Sequence, residues 1–287
     1  MVCYLILTLL AKISSEKEVK NFDKTLKILL DWGEEYGMKW GAHKTQRMGL
    51  SGRNGRDLPQ MFFDNKEILA TETIEILGVL LNKQCISYAQ IYKIKNKIAA
   101  IRTLVAKNYR IRTQKILERI YTTYIVPHIN YCSQQWNTNM EVHLRGIETE
   151  IRRFWKLSQE KMRPSHILGL REQLIYNDLK QLHKIKHEKS TIEFHDFFTI
   201  TEHQLKTNQE IETKKSTRAF AQYSFGHRVQ KYWNALPLET RDMTLKCFKE
   251  EIKKLMTDKK KSRKKQRMLN HGLAQPISLD PPGIHDE

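Results

Sequence analysis

Cysteine is scarce in this sequence, and no other pattern of metal-binding residues takes its place. The four cysteines are far apart and form no CxxC pair, and the eleven histidines form no HExxH motif. This spacing argues against a disulfide framework and against the common zinc sites. We therefore expect no bound metal or other cofactor, and a reducing intracellular location, cytoplasmic or nuclear. The cysteines are Cys3, Cys85, Cys132 and Cys247.

Long hydrophobic runs are also missing. The apolar stretch at residues 1–11, MVCYLILTLLA, is short, whereas a membrane-spanning helix needs about 20 such residues. The stretch has no basic leader, which argues against a secretory signal. We interpret it as a buried strand and expect no membrane partner.

Acidic residues are too few to balance the basic ones. Asp and Glu number 32 against 50 Lys and Arg, which gives a formal net charge of +18. Residues 258–287 contain seven basic and four acidic residues, so +15 belongs to the rest of the chain. A charge of this size favours a polyanionic partner, with nucleic acid ahead of membrane. The run DKKKSRKKQR at 258–267 is either a nuclear localisation signal or a solvated tail.

Apolar periodicity predicts a mainly α fold with a small β portion near the start. With 40% apolar residues, the chain can form a real core. Ser15 and Glu18 have capping-box spacing, and the helix after them should end near Gly37. Two short apolar strands follow in the prediction: MFFDNKEI, with a turn at residues 64–66, and TIEILGVLL, with a glycine inside it.

The longest helical pattern starts near residue 88. Its apolar positions fall within an arc of about 80°, as on a helix docked on a core. Lysines and arginines flank this stripe on both sides, and residues 91–120 hold nine basic residues against one acid. The basic face either solvates an ordinary helix or contacts a phosphate backbone. The apolar stripe consists of Ile91, Ile94, Ile98, Ile101 and Val105.

Further helices are predicted after this one. Thr113 should cap the first, and Pro127 should stop or bend it. The next patterns cover about residues 140–158 and 165–188, the latter as a helix pair broken at Gly169. The core-facing residues of the helix that Thr113 caps should be Ile116, Leu117, Ile120, Tyr121, Tyr124 and Ile125.

Two segments resemble a known family. A helix followed by a Val-Pro pair, a Tyr-Cys pair and a tryptophan resembles the segment after the polymerase palm in reverse transcriptases of non-LTR (LINE-like) retrotransposons. A Trp-Asn pair, a Leu-Pro pair and a Phe-Lys helix near the end resemble the C-terminal part of the same polymerases. The first match rests on Ile120, Tyr121, Val126, Pro127, Tyr131, Cys132 and Trp136. The second rests on Phe225, Arg228, Trp233, Asn234, Leu236, Pro237, Phe248 and Lys249.

The resemblance extends more weakly to the start of the chain, where the family has its catalytic aspartate pair. Tyr4 aligns with the family's aromatic residue, which puts Ile6 and Leu7 where the two aspartates belong. Aliphatic side chains cannot hold the magnesium ions that nucleotidyl transfer needs. Because the match begins at residue 4, we also expect the upstream palm and the fingers to be missing. Lys44 matches the family's proton-donating lysine and is a candidate remnant, with a structural or phosphate-contact role ahead of a catalytic one.

The resemblance implies a partial polymerase palm followed by a helical thumb-like region. We expect a palm remnant at 1–85, a basic thumb-like region at 86–190, a polar linker at 191–217, a C-terminal helical segment at 218–257 and a disordered tail at 258–287. The function implied is RNA and DNA binding as a fragment of an RNA-directed DNA polymerase, inactive alone; magnesium would be expected only for an intact polymerase. The alternative is a non-enzymatic helical nucleic-acid-binding or adaptor protein.

The predicted nucleic-acid contacts lie mostly on the helix that starts near residue 88. They are basic residues that flank its apolar stripe, those in the link that follows, and a pair on the helix near residue 150. The set consists of Lys93, Lys95, Lys97, Arg102, Lys107, Arg110, Arg112, Arg152 and Arg153.

Overall fold

The computed structural model divides the chain into two compact units, residues 1–86 and 87–287. The structure describes residues 8–9, 11, 15–38, 40–41, 44–49, 60–83, 88–138, 140–187, 193–202, 209–213 and 224–257. Most of the strand expected at 1–11, including Ile6 and Leu7, lies outside the described residues. The basic run and the tail that were expected after residue 257 lie outside them as well.

The first unit begins with helix α1, Glu16–Glu35. The predicted capping box is present: the Ser15 hydroxyl accepts from the Glu18 N–H, and the Glu18 carboxylate accepts from the Ser15 N–H at 3.1 Å. Gly37 follows the helix with φ +64°, and the Met38 N–H donates to the Gly33 carbonyl at 2.7 Å. These bonds close the end of the helix as a Schellman motif does, so the prediction for both ends is confirmed.

Two short hairpins complete the described part of this unit. Strands β1 (Phe62–Phe63) and β2 (Lys66–Glu67) are joined by Asp64 and Asn65, which both have positive φ. Positive φ at both central residues is what a type I′ hairpin turn requires, and the turn predicted at residues 64–66 is confirmed.

The second hairpin corrects the sequence interpretation of TIEILGVLL as one strand. Strand β3 (Thr73–Ile76) pairs antiparallel with β4 (Val79–Asn82), and the chain reverses at Leu77 and Gly78, with φ of 48° and 83°. Glycine adopts positive φ without a steric penalty, so the Leu-Gly pair makes a tight turn here. The apolar alternation on either side of the turn is the same as in a continuous strand. For this reason the sequence pattern predicted one strand instead of two.

A small core holds α1 against the first hairpin. Leu26 on α1 is buried together with Met61, Phe63 and Ile68. The Trp40 ring packs edge-on against Phe63, with ring centroids 5.5 Å apart. A helix covering a short hairpin is the arrangement that such a hairpin needs for stability.

The second unit has two hydrophobic cores, and the first lies among helices near its start. Helix α2 packs mainly against α6, and it also contacts the π-helical turn and α5. Ile98, Leu117, Ile125 and Phe154 are fully buried at this centre. The elements are α2 (Tyr88–Asn108), α3 (Gln114–Ile120), a π-helical turn (Tyr121–Ile125), α4 (Val126–Asn130), α5 (Ser133–Trp136) and α6 (Glu141–Trp155).

The sequence predicted that Pro127 would either stop or bend the helix, and it does not stop it. The helix continues from α3 to α4 through the π-helical turn, in which the Val126 N–H donates to the Tyr121 carbonyl. Proline has no N–H and crowds the carbonyl four residues before it, and the wide turn accommodates this. The wide turn also shifts the register of the side chains, so that Tyr124, expected inside, is 59% exposed.

The second core lies between α7, α9, α11 and a hairpin. Helix α7 runs without a break from Leu170, so the expected helix pair broken at Gly169 is wrong. Gly169 instead precedes the helix, where its N–H donates to the Glu172 carboxylate at 2.6 Å. The elements are α7 (Leu170–His187), α8 (Phe194–Phe197), β5 (Phe198–Glu202), β6 (Gln209–Thr213), α9 (Phe225–Asn234), α10 (Leu238–Arg241) and α11 (Leu245–Thr257).

The hairpin of β5 and β6 lies where the sequence predicted a polar linker. Its two strands pair antiparallel over five residues each. The Asn234 side chain accepts from the Ile211 N–H at 3.1 Å and donates to the Ile211 carbonyl at 3.0 Å. Phe198 and Ile211 are buried in the second core. These contacts come from residues distant in the chain, and they order a stretch whose own composition is polar.

The predicted fold class is confirmed as mainly helical with a few small antiparallel strand pairs. Among the helices of the described ranges, none is both long enough and apolar enough to cross a membrane.

Candidate nucleic-acid interface

The outer face of α2 carries three exposed lysines. Ile91, Ile94, Ile98 and Val105 are buried as predicted, and this fixes how the helix is rotated about its axis. At 100° per residue, the three lysines then fall within an arc of about 80° on the solvent side. Leu104 lies in the same arc and is 58% exposed. We call Lys93, Lys97 and Lys107 the α2 lysine face; all three are exposed.

The other side of α2 faces α6, and the basic residues there have structural contacts. The Lys95 ammonium lies 5.4 Å from the centre of the Tyr92 ring. A methyl group added at Gly146 on α6 would lie 3.3 Å from the Lys95 side chain, so the lysine stem crosses that glycine. Lys95 therefore contributes packing between the two helices as well as charge.

Arg102 and Arg153, both predicted phosphate contacts, are the counterions of one buried carboxylate. Glu150 on α6 is only 4% exposed at its side chain. The Arg102 Nε lies 3.0 Å from Glu150 Oε2, and the Arg153 Nη1 lies 2.6 Å from Glu150 Oε1. A buried carboxylate is costly unless it is paired. Arg102 therefore links α2 to α6, whereas Arg153 pairs with Glu150 within α6.

Glu150 was missed by the sequence interpretation, although a signal for it existed. It lies three residues after Ile147, on the side of α6 that also presents Phe154 to the core. An acid on an apolar stripe predicts a buried carboxylate with a basic partner. Arg152, the other predicted phosphate contact on α6, is exposed.

The remaining predicted contacts extend the basic surface beyond the end of α2. Arg110 is exposed in the link to α3. Arg112 is partly buried, and its Nη1 donates to the Ala106 carbonyl at 3.1 Å, which closes the C-terminal end of α2. On α3, Lys115 and Arg119 are exposed.

The α2 lysine face continues toward α4. Burial lowers the pKa of His128 on α4, and the positive charge of Lys97 lowers it further. His128 is therefore neutral at pH 7 and adds no charge there. Lys97 is therefore near enough to His128 for their charges to interact.

Of the polymerase-like residues near the start, the structure describes Lys44 but not Ile6 and Leu7. Lys44 is exposed, and its backbone N–H donates to the Gly41 carbonyl at 2.8 Å in a turn. Over the described ranges, His, Cys, Asp and Glu form no group of three that could hold a metal ion. Ile6 and Leu7 are not described, so the expected loss of the aspartate pair stays a prediction from the sequence.

Several residues that carry the family resemblance lie in the cores of the second unit. Trp136, Tyr121, Trp233 and Phe248 are each at most 1% exposed. Arg228 is buried in an ion pair with Asp178, with the Arg228 Nε 3.2 Å from Asp178 Oδ2. Packing and hydrogen bonding account for these residues in this chain, whatever its ancestry.

Comparison with known proteins gives no match to a family model, a curated protein or a solved structure. The resemblance to LINE-like reverse transcriptases therefore rests on the residues quoted above.

Proposed function

We propose that this chain binds RNA and DNA through their phosphates, with the α2 lysine face at the centre of the contact. The observation that carries the proposal is the rotation of α2. Because its buried stripe faces the core, the three lysines project from a rigid helix toward solvent. Phosphate contacts of this kind position a nucleic acid but do not read its sequence.

We further propose that the chain descends from the C-terminal part of a LINE-like reverse transcriptase and retains binding without catalysis. Support comes from the two groups of residues around Trp136 and Trp233 and from the strong basic excess. The alternative is a helical nucleic-acid-binding or adaptor protein of other ancestry. A genomic reading frame that continues upstream into an aspartate pair, fingers and an endonuclease would decide for the polymerase origin.

Changing Lys93, Lys97 and Lys107 together to Gln should weaken binding to single-stranded RNA and flatten its salt dependence. Each phosphate contact on a single strand contributes about 0.7 to the slope of log K against log salt concentration. If all three lysines contact phosphate, the slope should fall by about 2. Fluorescence anisotropy with a labelled oligonucleotide, titrated at several KCl concentrations, measures this. Two unrelated oligonucleotide sequences should show the same loss.

A matched control is available on α1. Lys17, Lys20 and Lys24 are exposed on a helix that carries more acidic than basic residues. Changing these three lysines to Gln removes the same charge from a surface that should not attract phosphates. An α2 variant that behaves like this control would refute the role of the α2 lysine face.

The purified chain should extend no primer with either magnesium or manganese. With Ile6 and Leu7 at the aligned aspartate positions, the metal ions that stabilise the attacking and leaving oxygens have no carboxylates to hold them. The measurement is template-dependent incorporation of labelled nucleotide on a primed RNA template, beside a no-enzyme control. Incorporation above that control would contradict both the alignment and the proposed loss of catalysis.

A further inference from the structure

A second basic surface lies between α7 and α11, on residues that the sequence interpretation did not select. The two helices run antiparallel, because the His183 ring donates to the Met243 carbonyl at 2.8 Å and the Lys253 ammonium lies 5.5 Å from the Tyr176 ring. A cleft of about 510 Å³ is lined by Tyr176 of α7 and by residues of α11 that include Lys246, Lys249 and Lys253. On α7, Lys180 is near enough to interact with the charges of Lys249 and Lys253, and Lys184 lies one turn further along; we call these five lysines the lysine cleft.

The charges in this cleft are close enough to repel one another. Burial lowers the pKa of Lys180, and the positive charges of Lys249, Lys184 and Lys253 lower it further. Glu250 lines the cleft beside Lys246, Lys249 and Lys253, so the lining itself carries three positive charges and one negative charge. Like charges brought together cost free energy. An anion bound among the lysines would offset that repulsion. The positive potential of the cleft therefore favours the binding of a negatively charged ligand.

The Tyr176 ring makes cation–π contacts with two of the ammonium groups. Its side chain is buried, and the ammonium groups of Lys180 and Lys253 lie 5.9 and 5.5 Å from the ring centre. A cation held over an aromatic ring is attracted by the negative face of the ring. The lysine heads are thus partly ordered before a ligand arrives, which reduces the entropy lost on binding.

The lysines of the cleft are spread along the helix axes. From Lys246 to Lys253 the axis of α11 advances by about 10 Å, and lysines recur along it and along the facing part of α7. A line of cations matches a line of phosphates better than it matches one compact anion. Because Tyr176 is buried, the cleft offers no exposed ring on which a base could stack.

We propose that the lysine cleft is a second phosphate-binding site, which takes the phosphodiester backbone of a single nucleic-acid strand. The inference deepens the proposed function, since it assumes nucleic acid as the ligand. It assigns the contact to helices other than α2, however, and it has its own test.

The test compares variants of the full chain on a 40-nucleotide single-stranded RNA by the salt dependence of binding. Changing Lys180, Lys246 and Lys249 together to Gln should lower the slope of log K against log salt concentration by about 2 if all three contact phosphate. Changing the same residues to Arg keeps the charges and should preserve the slope. The α1 control variant should also keep the parent slope. Circular dichroism of each variant checks that the fold is intact.

The outcomes separate this site from the α2 lysine face. A loss of slope in the cleft variant with a parent-like α2 variant supports the cleft and refutes the α2 proposal. The reverse result refutes the cleft. If both variants behave like the α1 control, both proposals fail. A cleft variant with parent-like RNA binding but weaker binding of inorganic tripolyphosphate would show a small-anion site, and it would also overturn the proposal.

Chemical footprinting gives a second, independent readout. Acetylation of lysines on the folded parent chain, followed by mass spectrometry of peptides, reports which amines RNA protects. Lys180, Lys246 and Lys249 should be protected by the RNA, while Lys17 and Lys20 on α1 should react equally with and without it. Equal reaction of the cleft and α1 lysines in the presence of saturating RNA would contradict the assignment.

Discussion

Replacing Arg228 with methionine should destabilise the second unit by about 3 to 5 kcal/mol at pH 8. The Arg228 and Asp178 side chains are 3% and 1% exposed, and the guanidinium also donates to the Gln134 carbonyl at 3.0 Å. Methionine fills much of the space of the arginine stem but leaves the carboxylate buried without its counterion. Removing one partner of a buried pair is costly for this reason, even where the pair itself adds little net stability.

The deficit should become smaller as the pH falls. Burial raises the pKa of Asp178 to about 6, and the charge and hydrogen bond of Arg228 limit that rise. Without Arg228 the pKa of Asp178 rises further, so the carboxyl group of the folded variant takes up its proton at a higher pH. A folded-state pKa above the unfolded one adds stability that is complete below the unfolded pKa and lost as pH rises through the folded pKa. The Arg228→Met variant should therefore be closer to the parent at pH 5 than at pH 8.

Urea unfolding followed by tryptophan fluorescence at the two pH values measures both effects. The double variant Asp178→Asn, Arg228→Met removes both charges and should be more stable at pH 8 than Arg228→Met alone. A loss below about 1 kcal/mol at pH 8 would have the size expected of an exposed pair. Such a result would contradict the burial of Asp178 and Arg228.

The features that sequence predicted well are local ones. The capping box at Ser15, the Thr113 cap and the turn at Asp64 and Asn65 each depend on residues within a few positions of one another. The rotation of α2 was also predictable, because its apolar residues alone determine which face is buried. This is why Lys93 and its two companions were placed correctly on the solvent side.

The features that sequence did not predict depend on distant partners. The hairpin of β5 and β6 is held by Asn234, more than twenty residues beyond Ile211. Arg102 is paired with Glu150, which lies 48 positions later. The lysine cleft exists only because α11 packs beside α7. Periodicity within one helix contains no information on which other helix will lie against it.

The second large effect is expected at Trp136, the last residue of the Tyr-Cys and tryptophan pattern. Trp136→Ala should cost about 3 to 5 kcal/mol, as for other large core residues changed to alanine. Trp136 is fully buried in the first core of the second unit. Its indole N–H donates to the Tyr131 carbonyl at 2.9 Å. The substitution therefore leaves a cavity and also removes a hydrogen bond that closes the turn before α5.

The turn itself explains why the pattern has this spacing. Cys132 has φ +47°, a conformation that L residues adopt only where the surroundings hold it. The backbone nitrogen of Trp136 lies 3.4 Å from the Cys132 carbonyl oxygen. The indole N–H of the same residue donates to the Tyr131 carbonyl on the other side of the turn. A tryptophan four residues after the cysteine thus anchors a strained turn between α4 and α5, and its role in this chain is structural.

A structural role and a direct role in binding predict different results for two substitutions at this position. Trp136→Phe keeps most of the buried ring and loses the N–H donor, so it should cost about 1 to 3 kcal/mol by leaving the Tyr131 carbonyl without that partner. If the role is structural, Trp136→Phe should bind RNA with the parent's salt slope wherever it is folded. Trp136→Ala should lose binding only in parallel with unfolding, which urea titration and anisotropy on the same samples can show. A folded variant with unchanged stability and reduced RNA affinity would instead make Trp136 a nucleic-acid contact, and the fully buried position would then be wrong.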